Sequence, residues 1–202
     1  MATSTHSELE RKFSADHVNP NVFHMWCEKH HPIRTKNTKY PDVYYRRDLA
    51  VVRHRKLPKN GGELTVKQRK SATDSTDRVE IDLRFAEGTT EDDISAFLQA
   101  TGWKKELTLQ KNLSEVYWFN HVGAEIAVSL YEVVDEAKGW PRRFLEIEVE
   151  KGSPVSDEKA LELLNVWCSV LSDDLGLGPA LNDSLYEIFT GKRYEVVQPR
   201  LL

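Results

Sequence analysis

The feature that most constrains this chain is alternation of charge with hydrophobe, repeated in segments far apart in the sequence. Glu8, Glu10 and Lys12 alternate with Leu9, Arg11 and Phe13. Arg78, Glu80, Asp82 and Arg84 alternate with Val79, Ile81, Leu83 and Phe85, and Glu146, Glu148 and Glu150 with Leu145, Ile147 and Val149. A period of two is the period of a strand, whose successive side chains leave opposite faces. Arg53 with Arg55, and Thr65 with Lys67 and Arg69, extend the pattern. In an ordinary antiparallel sheet such residues face water. If the sheet curls into a barrel they share one interior, and charges of both signs there need water, metal or ligand to meet them.

The rest of the chain reads as α+β. Asn19-Pro20 starts a helix that Pro32 stops, and residues 42–56 are rich in aromatic and β-branched residues that favour strands. Asn60-Gly61-Gly62 reads as a hairpin turn before a strand at residues 63–69. Thr90 caps a helix ending at Gly102, and strands are expected at residues 113–119 and 124–134. Ser156 opens a helix ended by Gly176, and a short final helix holds Tyr186 and Phe189. The 202 residues make one domain, with its core at about residues 7–190.

Residues 29–84 hold 15 Lys and Arg against seven Asp and Glu, whereas the whole chain has a net charge of −4. Basic residues interleaved with carboxylates, in an acidic chain, argue against nucleic acid as the partner. No apolar run reaches the roughly 18 residues of a membrane span, so a soluble cytoplasmic protein is expected. The two cysteines, Cys27 and Cys168, cannot form a disulfide framework and read as small buried hydrophobes. His24, Cys27, His30 and His31 are zinc-ligand types in one short stretch, but without a second cluster they read as helix surface.

The alternating charges carry a chemistry. Glu8, Glu10, Glu146 and Glu148 offer hard oxygen ligands for Mg²⁺ or Mn²⁺. The Arg and Lys pairs match phosphate oxygens. Glu8-Leu9-Glu10-Arg11-Lys12 resembles the E-x-E-x-K signature of the CYTH, or triphosphate tunnel metalloenzyme, superfamily. Further matches run in the family's order: Asp42-x-Tyr44-Tyr45, Arg53-His54-Arg55, Thr65-Val66-Lys67, Arg78-x-Glu80-x-Asp82, Glu146-Ile147-Glu148 and Ser184-Leu185-Tyr186.

The resemblance implies a closed eight-stranded antiparallel β-barrel, a tunnel with flanking helices, that binds a triphosphate and one or two divalent metals. It implies Glu8, Glu10, Glu146 and Glu148 as metal ligands, and Lys12, Arg53, Arg55, Lys67, Arg78 and Lys111 as phosphate ligands. Arg69 joins them by alternation with Lys67, and Glu80 is the supporting acidic residue. Tyr44 and Lys67 resemble a pair that activates water. Two departures stand out: Lys111 is followed by Asn112 and Leu113 where the family commonly has K-x-R, and Ser129 or Tyr131 stands where many members have Asp. The expected function is a metal-dependent triphosphatase acting on tripolyphosphate, thiamine triphosphate or a nucleoside triphosphate. The alternatives are a class IV-type adenylate cyclase and a polyphosphate- or nucleotide-binding module without turnover. Monomer and homodimer are both compatible with the sequence.

Overall fold

The structure is a computed structural model that describes residues 2–57, 61–69, 77–150 and 152–193, with the side chains of residues 2–8, 57, 61, 67–69 and 77–80 outside the description. Nine strands and four helices follow one another as β1 (Ala2–Ser14), α1 (Pro20–Lys29), β2 (Arg34–Asn37), β3 (Asp42–Arg47), β4 (Ala50–Leu57), β5 (Gly61–Arg69), β6 (Asp77–Arg84), α2 (Glu91–Ala100), β7 (Lys104–His121), β8 (Ala124–Asp135), β9 (Pro141–Val149), α3 (Asp157–Leu175) and α4 (Leu185–Thr190). They form one antiparallel sheet in the order β2-β7-β3-β4-β5-β6-β1-β9-β8, and β7 pairs with β8 as well. That last pairing curls the sheet round on itself.

The expected closed eight-stranded barrel is therefore corrected on two points. There are nine strands, because residues 34–37 add β2, and β2 has β7 as its sole strand partner among the described residues. The six residues of β3 cannot span the 18 of β7: they pair with residues 104–109, and β2 takes up residues 115–118 on the same side. The wall thus ends in an edge and is not a fully closed barrel. A further correction concerns Gly61 and Gly62, which lie within β5 and not in a turn. A Cβ on Gly62 would stand 2.6 Å from Ile94 Cδ1 and 2.9 Å from His54 Nε2, so glycine is what lets α2 lie close to the strand.

Three apolar clusters position the sheet. One packs Phe13, Tyr117, Phe119, Ile126, Val128, Leu130, Leu145 and Ile147 from the strands against Phe23, Trp26 and Cys27 of α1 and Leu163, Leu164 and Leu171 of α3. A second lies under α2, where Val43, Tyr45, Val52 and Leu64 meet Ile94 and Leu98. In the third, Tyr44, Leu107, Leu109, Tyr131 and Phe144 receive Tyr186 and Phe189 from α4. Each fully buried Leu, Ile or Phe among them contributes about 1.5–3 kcal/mol relative to exposure.

The helix ends follow their sequence signals. Ser156 accepts the Lys159 amide, Asp157 and Glu158 sit in the first turn of α3, and Gly176 ends it at φ 66°, a left-handed conformation that favours glycine. Ser184 and Glu187 form a reciprocal capping box that starts α4. The His24–His31 stretch is structural: Cys27 is buried, His24 Nδ1 lies 2.6 Å from the Tyr117 hydroxyl, and His30 stacks on Trp26. No described helix is long and apolar enough to cross a membrane.

Candidate functional site

The curled sheet encloses a cavity of about 460 Å³ to which all nine strands contribute lining residues. The third apolar cluster borders it, since Tyr44, Tyr131 and Tyr186 belong to that cluster and also line the cavity. Three stretches of wall differ in charge, and the difference follows from strand register.

The wall from β3 to β6 carries two rows of charge that compensate one another. One row runs Asp42, Arg55, Glu63, Arg84, with each residue opposite the next on the neighbouring strand. Asp42, fully buried, accepts both arms of a bidentate contact from Arg55, Nε at 2.7 Å and an Nη at 2.8 Å. Lys111 from β7 reaches the same carboxylate at 3.6 Å, and Arg84 donates to Glu63 at 2.8 Å. The second row runs Tyr44, Arg53, Thr65, Asp82, in which Arg53 donates to the Thr65 hydroxyl at 3.0 Å and that hydroxyl to Asp82 at 2.8 Å.

These contacts set the proton affinities. Burial pushes the Asp42 carboxyl up, but Arg55, Lys111 and Arg53 outweigh it and hold the group well below the usual carboxylate range. Burial is also the largest influence on Lys111; Asp42 opposes it, Arg55 and Arg53 add to it, and the ammonium is pushed down to about 8. The Arg55 guanidinium is raised, as Asp42 overcomes burial and the neighbouring Arg53. Burial, then Glu146 and Glu10, raise the Tyr131 phenol well above its ordinary value, so it stays protonated.

The wall made by β1 and β9 is acidic. Glu10, 5% exposed, stands directly opposite Glu148, and Lys12, 4% exposed, stands opposite Glu146 and binds it at 3.0 Å. Two carboxylates placed opposite each other on neighbouring strands repel unless a cation joins them. Beyond Lys111 the wall made by β7 and β8 is neutral: Val116 faces Ser129, and Trp118 faces Ala127. Trp118 carries the Arg34 guanidinium at 4.0 Å from its ring centroid.

Of the site residues expected from sequence, Glu10, Lys12, Tyr44, Arg53, Arg55, Lys111, Glu146 and Glu148 line this one cavity. Glu8 lies on β1 opposite Arg78, and Lys67 on β5 opposite Glu80, with Arg69 opposite Arg78. The side chains of Glu8, Lys67, Arg69, Arg78 and Glu80 lie outside the described residues. Leu113 is not a cavity residue: a register shift between Lys111 and Leu113 turns it to the outer cluster. Asp42 and Asp82, which the sequence motifs include without a role, line the cavity as buried acids, and Glu63, Lys36 of β2 and Thr38 just beyond it line the cavity without having been expected there. Among the described residues no three His, Cys, Asp or Glu side chains form a ready-made metal cluster.

Neither a family model nor a curated protein matches the sequence. Among solved structures, the chain is similar to a protein of Bacillus halodurans described as a candidate adenylate cyclase, with a TM-score of 0.57 and 13% identity, over 92% of this chain and 98% of the other. An RNA triphosphatase of S. pombe aligns over 86% of each chain, also at 13% identity, but its TM-score of 0.44 is too low to bear on the fold. The first likeness is one of fold: an antiparallel sheet with flanking helices.

Proposed function

We propose that the protein is a divalent-metal-dependent phosphohydrolase that takes a triphosphate into the charged cavity. One observation carries this reading: a single cavity gathers Arg53, Arg55, Arg84, Lys12 and Lys111 together with the facing carboxylates Glu10 and Glu148. A cavity so lined fits a polyanion bridged by a cation. The donor set is of hard oxygens without a complete protein cage, which is how Mg²⁺ is commonly held, by one or two carboxylates together with substrate phosphates. Glu10, Glu146 and Glu148, with Glu8, are the residues that would hold it. Such a metal, when bound, supplies charge stabilisation at the phosphoryl group under attack.

The chain's own residues do the rest. Arg53 and Arg55 present guanidinium groups to phosphate oxygens, with Lys12 and Lys111 as point charges beside them, and Lys67, Arg69, Arg78 and Glu80 keep the roles expected of them. Asp42 fixes the Arg55 fork and keeps Lys111 charged at neutral pH. Tyr44, which lines the cavity, is assigned with Lys67 to orienting and deprotonating the attacking water.

A second reading, cyclisation of a nucleoside triphosphate with loss of pyrophosphate, is favoured by the neutral wall at Val116 and Ala127, which leaves room for an organic group beside the anion. The test is to incubate the protein with Mg²⁺ or Mn²⁺ and, separately, tripolyphosphate, thiamine triphosphate and ATP, then resolve the products. Orthophosphate with a diphosphate is the expected result. Cyclic nucleotide with pyrophosphate would select the second reading, and bound but unchanged substrate would reduce the protein to a binding module.

A further inference from the structure

Strand β2 is an addition to the expected eight strands, and it brings a charge with it. Its four residues, Arg-Thr-Lys-Asn, are all exposed, yet Lys36 and, just beyond the strand, Thr38 line the cavity. Register places Lys36 opposite Val116, Val116 opposite Ser129, Ser129 opposite Glu146, and Glu146 opposite Lys12. All five line the cavity, so they form one level that crosses it from the sheet's edge to its acidic wall.

The charges along that level are unevenly committed. Lys12 is bound to Glu146, as elsewhere Arg55 and Lys111 are bound to Asp42 and Arg84 to Glu63. Lys36 makes no ion pair with any described residue. Val116 and Ser129 beside it carry no charge, so nothing on the adjoining wall neutralises it. Leu113, which alternation from Lys111 would direct inward, is turned out by the bulge, and the inner half of β7 beyond Lys111 therefore offers no cation of its own.

We infer that Lys36 is an anion-binding residue of this cavity, and that β2 supplies through it the cation that β7 lacks. The inference rests on the triphosphate reading and deepens it by assigning the outer phosphate to the edge strand. A flexible ammonium at an exposed edge can follow a phosphate as it arrives, whereas the paired Arg55 fork is fixed in place. Its contribution is a charge-assisted contact in a partly solvated site, so its loss weakens binding by about tenfold at low salt and by less as salt is raised.

The experiment is calorimetric titration of the full chain with inorganic tripolyphosphate, with and without Mg²⁺, using wild type, Lys36→Met and Lys36→Arg. Because the residue is exposed, thermal midpoints of the three proteins should coincide, which separates binding from folding. The expected result is wild-type binding, a roughly tenfold loss in Lys36→Met that shrinks with salt, and recovery to within about threefold in Lys36→Arg. Wild-type binding with Lys36→Met within about twofold of it, or a loss independent of salt, would overturn the assignment of Lys36 and leave the triphosphate reading intact. Absence of wild-type binding would overturn both.

Discussion

Replacing Asp42 by Asn tests the electrostatic logic of the cavity without any assumption about substrate. The carboxylate is fully buried, takes two hydrogen bonds from Arg55 and has the Lys111 ammonium at 3.6 Å. An amide of the same shape keeps one acceptor and removes the charge. Leaving a buried cation without its counter-charge costs about 3–5 kcal/mol. Two features place this case at about 3 kcal/mol: the Arg55 side chain is 28% exposed to the cavity, and Lys111, already pushed down to about 8, can shed its proton once Asp42 ceases to hold it. For a chain of this length that is a fall of roughly 6–12 °C in the thermal midpoint near neutral pH.

The pH dependence has a definite sign. Because the folded carboxyl lies below its unfolded value, its stabilisation is present in full above about pH 4 and is lost as pH falls through the folded value. The gap between wild type and Asp42→Asn should therefore be open at pH 5 and close as pH falls below about 4. Thermal unfolding followed by circular dichroism across that range measures it. A fall of under about 2 °C at pH 7, or a gap that widens in acid, would refute the assignment of Asp42 as the anchor of the cationic wall.

Two further predictions follow from single groups. Lys111 is charged below about pH 8, so tripolyphosphate affinity should decline as pH rises through that value, by up to about tenfold per unit, and Lys111→Met should remove this part of the profile; titration at several pH values reads both. In the turn that joins β7 to β8, Val122 has φ 52° and Gly123 φ 82°, a two-residue turn in which a β-branched side chain is strained. Val122→Asn should raise stability by about 1 kcal/mol, or roughly 2–4 °C, in the same thermal assay.

Much of this arrangement is legible in the sequence wherever one residue type repeats with a strict period. Glu8–Phe13, Arg78–Phe85 and Phe144–Glu150 announce β1, β6 and β9 because each strand has one apolar and one charged face, and the caps Thr90, Ser156 and Ser184 mark α2, α3 and α4. Where burial is absent or two-sided the signal fails. The four residues of β2 are exposed on both faces, so no alternation betrays them. Strand β7 begins at Lys104, well before the expected Leu113, because it opens on the charged residues Lys104, Lys105 and Glu106 and its register shift between Lys111 and Leu113 breaks the phase of the alternation. Asp42 opens a strand-favouring stretch and a motif match, but only its pairing with Arg55 of β4 reveals a buried anchor. Partners set by register are a property of the whole sheet, which a local pattern does not encode.

The apolar cluster beside the cavity has a consequence for how strain is shared. Tyr44, Tyr131 and Tyr186 belong both to that cluster and to the cavity lining, so a substitution that loosens Phe189 or Phe144 also shifts the surface that a bound molecule would touch.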